Sequence, residues 1–230
     1  MQQHQNRLEL NDNGSYVVDL ARKVVSDADA LVTLSRQFDQ KKKTIRLGSC
    51  APAPLWTIVP LILQHYPQMT LQTTTDDGDN LSEKLLEDEY QLIITRQKID
   101  DPRLSSRHCG RETLMFALPK GHRFARRKSL SLAEMNGENM LLMSDIGFWH
   151  FIRTQKMPDS RFLIQNDRFS FNELVEASSL AAFTSDLAGT IPVAKDRIRV
   201  PVSDPEAVAD YYLICRREHR SRYAALFSSL

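Results

Sequence analysis

Three cysteines are the whole complement of thiols in this sequence of 230 residues, and that shortage excludes two classes of protein. Cys50, Cys109 and Cys215 are odd in number and lie far apart, which argues against a disulfide framework. The sequence contains no Cys-x-x-Cys or His-x-x-x-His pair, so it predicts no zinc site. Internal repeats are absent as well, which excludes a repeat array.

Long apolar runs and an excess of charge are also missing. No segment approaches the roughly 18 apolar residues that cross a bilayer, and the mean hydropathy is negative. The segment Met1–Arg7 lacks the apolar centre of a signal peptide, so we expect a cytoplasmic protein without a membrane partner. The formal net charge of +1 argues neither for nor against an anionic partner. The length allows one large domain or two lobes of roughly 100 residues each.

A long helix is predicted over Ser15–Gln40, within a segment that spans residues 15–43. Small or apolar residues recur there at alternating spacings of three and four, as in a helix that pairs with a second helix. Lys41–Lys43 places cations at the negative end of the helix dipole, and Asn11–Gly14 can cap the helix start. Before this turn, Arg7–Leu10 is a possible short strand. The predicted dimerisation seam consists of Val17, Ala21, Val24, Ala28, Leu31, Ser35 and Phe38.

After this helix, short strands alternate with helices. Such alternation is typical of an α/β fold with a parallel sheet that helices cover on both faces. The predicted strands are Ile45–Gly48, Thr70–Thr75, Gln91–Thr95, Glu112–Pro119, Met140–Met143, Phe162–Gln165, Ala181–Thr184 and Tyr211–Arg216. The predicted helices are Pro54–Tyr66, Leu81–Asp88, Leu130–Met135, Gly147–Thr154, Ser170–Ala177 and His219–Leu230.

Two proline-containing stretches divide this region into two predicted lobes. Pro and Gly in Pro119–His122 break both kinds of element, so the chain is expected to cross there to a second lobe. The return crossing is placed in Val200–Ala209. The first lobe would then span residues 44–119 and 209–230, and the second lobe residues 120–208.

Polar side chains at the carboxyl ends of the predicted strands are candidates for binding a small ligand. In α/β sheets, ligands bind at these ends, where helix amides converge on small anions. Arg96 offers a bidentate fork for a carboxylate. The alternatives are a capped turn at Ser49, a surface cation at Arg96 near Asp100 and Asp101, and core packing near Phe148. The candidate set is Ser49, Cys50, Ala51, Thr75, Thr95, Arg96, Ser144, Phe148 and Thr184.

Several segments in order resemble the LysR-type transcriptional regulators, and the resemblance covers nearly the whole chain. Leu8–Gly14 is similar to the turn at the end of the family's winged helix-turn-helix, and the following helix to its linker helix. Gln91 stands where the family usually has Asp. Ser178 and Leu180 replace two glycines, and Thr184 stands where proline is common. The other similar segments are Ile45–Gly48, Val59–Pro60, Asp88–Ile94, Phe116–His122 and Glu173–Phe183.

The resemblance implies two Rossmann-like lobes of the type 2 periplasmic-binding-protein kind, preceded by a long dimerisation helix. It also implies a homodimer or tetramer that senses a small, anionic effector between its lobes and has no catalytic residues, cofactor or metal. Residues 1–14 would be the remnant of the wing. The family's DNA-reading helices would precede Leu8, so DNA would be bound only through a reader domain missing from this sequence.

Other interpretations of the sequence stay open. The chain could be a stand-alone small-molecule binding protein of the same fold, or an oligomerisation partner of a full-length regulator. An enzyme could use Cys50 as a nucleophile, since a helix start lowers a thiol pKa, but no histidine motif pairs with it. Asp76, Asp77 and Asp79 resemble a calcium loop but lack the distal Glu of such loops, which favours a solvated loop.

Overall fold

The structure is a computed structural model that describes residues 11–76, 80–188 and 196–230. The chain forms two compact units, Met1–Thr44 and Ile45–Leu230. The possible strand Arg7–Leu10 and the acidic residues Asp77 and Asp79 lie outside the described residues. Within the described ranges, no helix combines the length and apolarity that a membrane crossing needs.

The first unit contains the predicted long helix, α1 (Asp12–Lys42). The Asn11 side chain caps it, because Asn11 Oδ1 accepts a hydrogen bond of 2.8 Å from the Gly14 amide. The cap starts the helix three residues before the predicted Ser15. Along the predicted seam, Val24 is 67% exposed and Leu31 is 71% exposed. A helix of 31 residues that leaves such side chains in solvent has an apolar face that is not buried within its own unit.

The second unit contains a mixed sheet of nine strands in the part of the chain that the structure describes. The strands are β1 (Thr44–Ser49), β2 (Thr70–Thr75), β3 (Leu92–Thr95), β4 (Leu104–Pro119), β5 (Asn139–Met143), β6 (Arg161–Gln165), β7 (Ala181–Ser185), β8 (Arg197–Pro201) and β9 (Val208–Arg216). Their order is β2-β1-β3-β9-β4-β7-β5-β6, and β8 pairs with β4. The α-helices are α2 (Leu55–His65), α3 (Leu81–Leu86), α4 (Leu132–Met135), α5 (Arg168–Ala177) and α6 (Ala224–Ser228).

The sheet is only partly parallel, which differs from the predicted parallel sheet. β1 and β3 are parallel, as are β5, β6 and β7. Between these groups, β4 and β9 run antiparallel to each other and to their outer neighbours. β4 exchanges its partner between Thr113 and Leu114, where pairing with β9 gives way to pairing with β7. The lobe boundaries at residues 119 and 208 stay predictions.

Four elements differ from their predictions, and two of them are strands whose apolar patterns are weak. β4 begins at Leu104 rather than Glu112, and its first half is a polar segment that bulges between His108 and Gly110. β8 was not predicted, and its last two residues are the first two of the predicted return crossing. The predicted helix Gly147–Thr154 is instead a 3₁₀ turn, Gly147–Trp149, followed by a π-helical turn, Ile152–Lys156. The predicted helix His219–Leu230 is likewise reduced to α6 after a short 3₁₀ turn.

The main apolar core contains side chains from both groups of parallel strands and from the antiparallel strands between them. It includes the centres of β1, β3 and β9, whose Leu47, Ile93 and Leu213 are fully buried. A separate, smaller cluster lies beneath α5 and consists of Ala117, Leu141, Phe171, Val175 and Ala182. Burial of such side chains is the main stabilising contribution in a domain of this size. The smaller cluster also forms one wall of a cavity.

Candidate functional site

The turn after β1 keeps its polar groups within the protein. Ser49 is fully buried, and its hydroxyl donates a hydrogen bond of 2.6 Å to the Ala51 carbonyl. The Cys50 amide donates to the Ile94 carbonyl at 3.0 Å. Pro52 and Pro54 have no amide hydrogen. The helix start that follows this strand therefore has few amides left for an anion.

The turn after β5 contacts the first turn directly. Gly147 has φ +56°, a conformation that favours glycine. A Cβ atom at this position would lie 2.1 Å from the Cys50 carbonyl oxygen. The next amide, that of Phe148, donates to the same Cys50 oxygen at 2.9 Å. We call this arrangement the Cys50–Phe148 contact; it joins the ends of two strands that the sequence assigns to different lobes.

One cavity, here called the Arg96 cavity, lies beside this contact and has a volume of about 1040 Å³. The Arg96 guanidinium carbon lies 4.4 Å from the centre of the Phe148 ring, in a cation–π contact. Lys98, Lys156, Glu206 and Asp210 also line the cavity.

The charges of the Arg96 cavity are only partly paired. Lys156 Nζ lies 2.6 Å from Glu206 Oε1, and His108 Nε2 lies 3.1 Å from Asp210 Oδ1. In the described parts of the chain, no carboxylate forms an ion pair with Arg96 or Lys98. The cavity therefore has two cations whose charge its own carboxylates do not neutralise.

A second cavity, here called the Glu112 cavity, has a volume of about 350 Å³ and lies between α5 and the strands β4, β5 and β7. Its floor is the small apolar cluster beneath α5. Both tryptophans of the sequence, Trp56 and Trp149, line it. So does Thr184, one of the predicted ligand-binding residues.

Glu112 is the one buried carboxylate among the residues that the structure describes. The Trp149 indole donates to its Oε2 at 3.3 Å, and the Tyr211 hydroxyl donates to the same oxygen. The Ser185 hydroxyl also bonds to the carboxyl group. Burial raises the pKa of Glu112, and these three donors act in the opposite direction by stabilising its charged form.

The predicted ligand-binding residues fall into separate places. Arg96 and Phe148 meet in the Arg96 cavity, and Thr184 lies in the Glu112 cavity. The segment Ser49–Ala51 lines neither cavity.

Three further predicted residues also line neither cavity. Thr95 donates from its hydroxyl to the Gln97 carbonyl at 2.7 Å. The Ser144 amide donates to the Gln165 carbonyl at 2.8 Å. Thr75 is the last residue of β2 and is half-buried. A ligand role for the predicted set stays a prediction.

Residues missed at the sequence level are Glu112, Lys98, Trp149 and Tyr211. Glu112 had a readable signal. It begins the predicted strand Glu112–Pro119, in which Leu114 and Phe116 are the apolar alternate residues, so an acid at that spacing occupies an inward position. An inward carboxylate needs donors nearby, which indicates a polar site inside the protein. No comparable pattern identifies the other three residues.

The environment of Cys50 opposes the nucleophile interpretation. Burial raises the pKa of the Cys50 thiol to about 12, although the charge of Arg96 acts to lower it. A thiol with this pKa is almost entirely protonated at neutral pH, and the thiolate is the reactive form. Cys50 therefore lacks the activation that such an enzyme requires.

Metal binding finds no support in residues 11–76, 80–188 and 196–230. No group of three His, Cys, Asp or Glu side chains in these ranges could hold a metal ion. Asp76, from the acidic loop, accepts a hydrogen bond of 2.7 Å from Lys84 Nζ. The charge of Asp76 is thus compensated by a lysine.

The departures from the LysR pattern have local structural explanations. Gln91 lies before β3, at the end opposite the candidate site, and its Oε1 accepts from the Arg46 amide at 3.0 Å. Ser178 ends α5 in an extended conformation that does not require glycine. Arg197 donates to the carbonyls of Val175 and Ser178 at 2.6 and 2.8 Å, and also to that of Leu180. This arginine satisfies carbonyls that the helix end leaves without partners.

The chain is similar to known proteins over most of its length. The family model described as "LysR substrate binding domain" matches residues 39–230. BenM, an HTH-type transcriptional regulator of Acinetobacter baylyi, is 23% identical over 222 residues, which cover 91% of this chain and 73% of BenM.

Solved structures show the same fold. A full-length OxyR from Pseudomonas aeruginosa has a TM-score of 0.61 at 16% identity and covers 99% of this chain and 82% of its own. The BenM effector-binding domain with its effector benzoate has a TM-score of 0.55 at 20% identity and covers 81% of this chain and 91% of its own.

These matches decide three of the predictions. The predicted fold is confirmed: two lobes of the type 2 periplasmic-binding-protein kind, preceded by a long helix. The prediction that the chain is not an enzyme is confirmed too, because the family model that matches describes a substrate-binding domain. The third is the resemblance itself: the chain belongs to the LysR substrate-binding domain family.

Proposed function

We propose that this chain is the ligand-sensing and dimerisation region of a cytoplasmic LysR-type transcriptional regulator, and that its effector is a small anionic metabolite. The observation that carries the proposal is the position of Arg96. Its guanidinium faces a cavity and rests on Phe148, next to the contact between the two strand ends. The benzoate bound by the BenM effector-binding domain is an anion of the expected size.

Charge in the Arg96 cavity supports an anionic effector. Arg96 and Lys98 lack ion-pair partners among the described residues, while Glu206 and Asp210 are engaged by Lys156 and His108. A carboxylate that enters this cavity would meet uncompensated positive charge. Arg96 can bind a carboxylate through two parallel N–H bonds, and its stacking on Phe148 holds the fork in place.

The Cys50–Phe148 contact offers a mechanism for sensing. The Phe148 ring contacts Arg96, and the Phe148 amide donates to the Cys50 carbonyl. A ligand on Arg96 would therefore change the balance between a closed form, in which the Cys50–Phe148 contact is made, and an open form, in which it is broken. A ligand that binds one of these forms more tightly shifts the population toward that form. In an opened form, Ser49, Thr75 and Ser144 would become available to the effector. The shift would reach DNA through the long helix and a reader domain.

The effector proposal is tested with a thermal-melt screen of the whole chain against small carboxylates that include benzoate. We expect a saturable rise in melting temperature with one chemical class, and loss of that rise in Arg96→Ala because the fork is removed. Arg107→Ala is the matched control, since Arg107 is an exposed arginine of β4 that lines neither cavity. A shift that survives in Arg96→Ala, or that no carboxylate produces, would contradict the proposal.

Dimerisation is proposed to occur through the exposed face of α1, with a second copy of the chain as partner. Val17, Val24, Leu31 and Phe38 lie on one stripe of the helix and are 59%, 67%, 71% and 59% exposed. Their spacing by seven residues is that of a helix seam that packs against another helix. Pairing of the lobes in addition to this seam would give a tetramer.

The dimer proposal is tested by sedimentation of Leu31→Asp. A charge at the centre of the seam should weaken self-association by at least about 100-fold, because an unpaired carboxylate would be buried there. The control is Thr33→Asp, which adds the same charge to the opposite face of α1. Equal association of the two variants would exclude the seam as the interface. Loss of pairing without any ligand response would favour the oligomerisation-partner interpretation.

A further inference from the structure

Glu112 lies where β4 changes partners. β4 pairs with β9 as far as Thr113 and with β7 from Leu114 onward. It thereby joins a β9 half of the sheet, which consists of β1, β2, β3 and β9, to a β7 half, which consists of β5, β6 and β7. We propose that the Glu112 carboxylate is a latch that holds these two halves together in the closed form. The latch does not depend on the identity of the effector.

The hydrogen-bond donors to Glu112 come from both halves. Tyr211, on β9, donates its hydroxyl hydrogen to Oε2. Trp149, in the turn after β5, donates from its indole to the same oxygen at 3.3 Å. Ser185 is the last residue of β7, and its hydroxyl bonds to the carboxyl group as well. One side chain of β4 therefore connects β9 with β7 and with the turn after β5.

Burial makes these bonds depend on one another. Glu112 is 2% exposed, and its three partners are buried too, so bulk water does not replace a lost donor. All three donors are neutral groups, and hydrogen bonds to a charged acceptor are about twice as strong as those between neutral groups. Loss of one donor would leave a buried carboxylate with too few partners, which is costly. The bonds should therefore break together when the halves separate.

The latch lies next to the Cys50–Phe148 contact. The ring centres of Phe148 and Trp149 are 4.3 Å apart, so the residue that makes the contact packs against a donor to Glu112. The Cys50 thiol is close as well: its pKa is raised mainly by burial, and the charge of Glu112 raises it further. Release of the latch should therefore free the turn after β5 and expose Cys50. The strength of the latch would set the fraction of open chain that exists before any ligand binds.

Labelling of two buried cysteines with iodoacetamide tests the latch. Cys50 reports separation of the halves, whereas Cys215 is fully buried within the β9 half, where β9 pairs with the first part of β4. Mass spectrometry of the two peptides gives both rates for the whole chain at pH 8 in low concentrations of urea. We expect the Cys50 rate to depend more weakly on urea than the Cys215 rate, because separation of the halves exposes less surface than unfolding.

Two variants distinguish the latch from general stability. Glu112→Gln keeps the shape of the side chain and removes its charge, so the Cys50 rate should rise at least about tenfold and keep its weak dependence on urea. Leu226→Ala is the control, since Leu226 is a fully buried residue of α6 in the main core. It should accelerate labelling of Cys215 and change the Cys50 rate by less than about threefold.

A double-mutant cycle shows whether the halves meet through Glu112. Tyr211→Phe removes the donor from β9, and Ser185→Ala removes the donor from β7. Each should raise the Cys50 rate by about three- to tenfold, because a buried charge loses one partner. In the Glu112→Gln background, each should add less than about twofold, since the charged acceptor is already absent. Fully additive effects would show that these donors act independently of Glu112 and would overturn the proposal.

A melting curve shows that each variant is folded before it is labelled. An unchanged Cys50 rate in folded Glu112→Gln would overturn the latch. So would equal urea dependence at Cys50 and Cys215, because Cys50 would then be exposed only by unfolding of the whole domain. If Glu112→Gln does not fold, Tyr211→Phe and Ser185→Ala decide in its place, and a wild-type Cys50 rate in either folded variant would contradict the proposal.

Discussion

The turns after β1 and β5 have the same plan in the sequence but different roles in the structure. Each follows a buried strand and leads toward a helical segment, so each could present free amides to a ligand. In the structure, the first turn supplies an acceptor, the Cys50 carbonyl, and the second supplies a donor, the Phe148 amide. The two turns bind each other, and the cavities lie on either side of their contact.

A strand end followed by a helix is an anion site only if its amides stay unpaired. In the first turn, Pro52 and Pro54 have no amide hydrogen to donate, and the Ser49 hydroxyl donates its hydrogen bond to the Ala51 carbonyl. In the second turn, Gly147 allows an approach so close that a ligand has no space between the two backbones. Positive charge is instead supplied by a side chain, Arg96, that projects beyond the contact.

The largest effect is expected for Gly147→Ala, which breaks the contact from the second turn. The new Cβ would lie 2.1 Å from the Cys50 oxygen, and the φ of +56° strains any residue with a side chain. Together these should lower the free energy of unfolding by about 4 kcal/mol. Urea denaturation followed by circular dichroism measures this change.

Gly121→Ala is the control for Gly147→Ala, since nothing lies within 4 Å of its Cβ position. It should change the stability by less than about 0.5 kcal/mol. If Gly147→Ala were equally mild, the two turns would not be in contact in solution, and the comparison between them would fail.

The next effect in size is expected for Phe148→Ala, which removes the side chain of the contact and keeps its backbone. Phe148 is 8% exposed and its ring centre lies 4.3 Å from that of Trp149. Its loss should cost about 3 kcal/mol of stability through the cavity that remains. It should also free the Arg96 guanidinium and weaken carboxylate binding. Phe169→Ala, which truncates an exposed phenylalanine, is the control and should have little effect.

The secondary-structure elements could be predicted from the sequence better than the contacts between them. The heptad spacing from Val17 to Phe38 and the buried runs of β1 and β3 were sufficient, because periodicity determines which face of a local element is apolar. The first half of β4 could not be found in this way, since its partner β9 stabilises it through backbone hydrogen bonds rather than an apolar face. Contacts between distant residues, such as Cys50 with Phe148, have no local pattern at all. The prolines in the first turn were visible in the sequence, but the prediction of an anion site there did not take account of their missing amide hydrogens.

The buried thiol of Cys50 makes the stability of the first turn depend on pH. Its folded-state pKa of about 12 is raised by burial above the ordinary value of 9.0. A raised pKa means that the folded state holds the proton more tightly, so the stabilisation is complete below pH 9 and is lost as the pH rises toward 12. Between pH 9 and 11, the wild-type chain should lose stability relative to Cys50→Ala by about 1.4 kcal/mol per pH unit.

Urea midpoints of both proteins at pH 8, 9, 10 and 11 test this expectation. Iodoacetamide labelling, followed by mass spectrometry of the Cys50 peptide, provides an independent control. Labelling at pH 8 should be slower than in the urea-unfolded chain by at least about 100-fold, because the thiolate is scarce in the folded protein. Parallel pH curves for the two proteins, with fast labelling, would mean that the first turn is open in solution.

The smallest expected effect, that of Ser49→Ala, addresses the role of the first turn most directly. The Ser49 hydroxyl donates to the Ala51 carbonyl inside the protein, and Ser49 is fully buried, so its removal should cost about 1 kcal/mol. If the hydroxyl has only this internal role, the melting shift produced by a carboxylate should be the same as in the wild-type chain. If the effector binds an opened form, the shift should shrink in Ser49→Ala although the unliganded protein is only slightly destabilised. Isothermal titration of both proteins with the same carboxylate separates these outcomes. The first would assign recognition to Arg96 alone, and the second would show that the buried turn becomes part of the site when the Cys50–Phe148 contact opens.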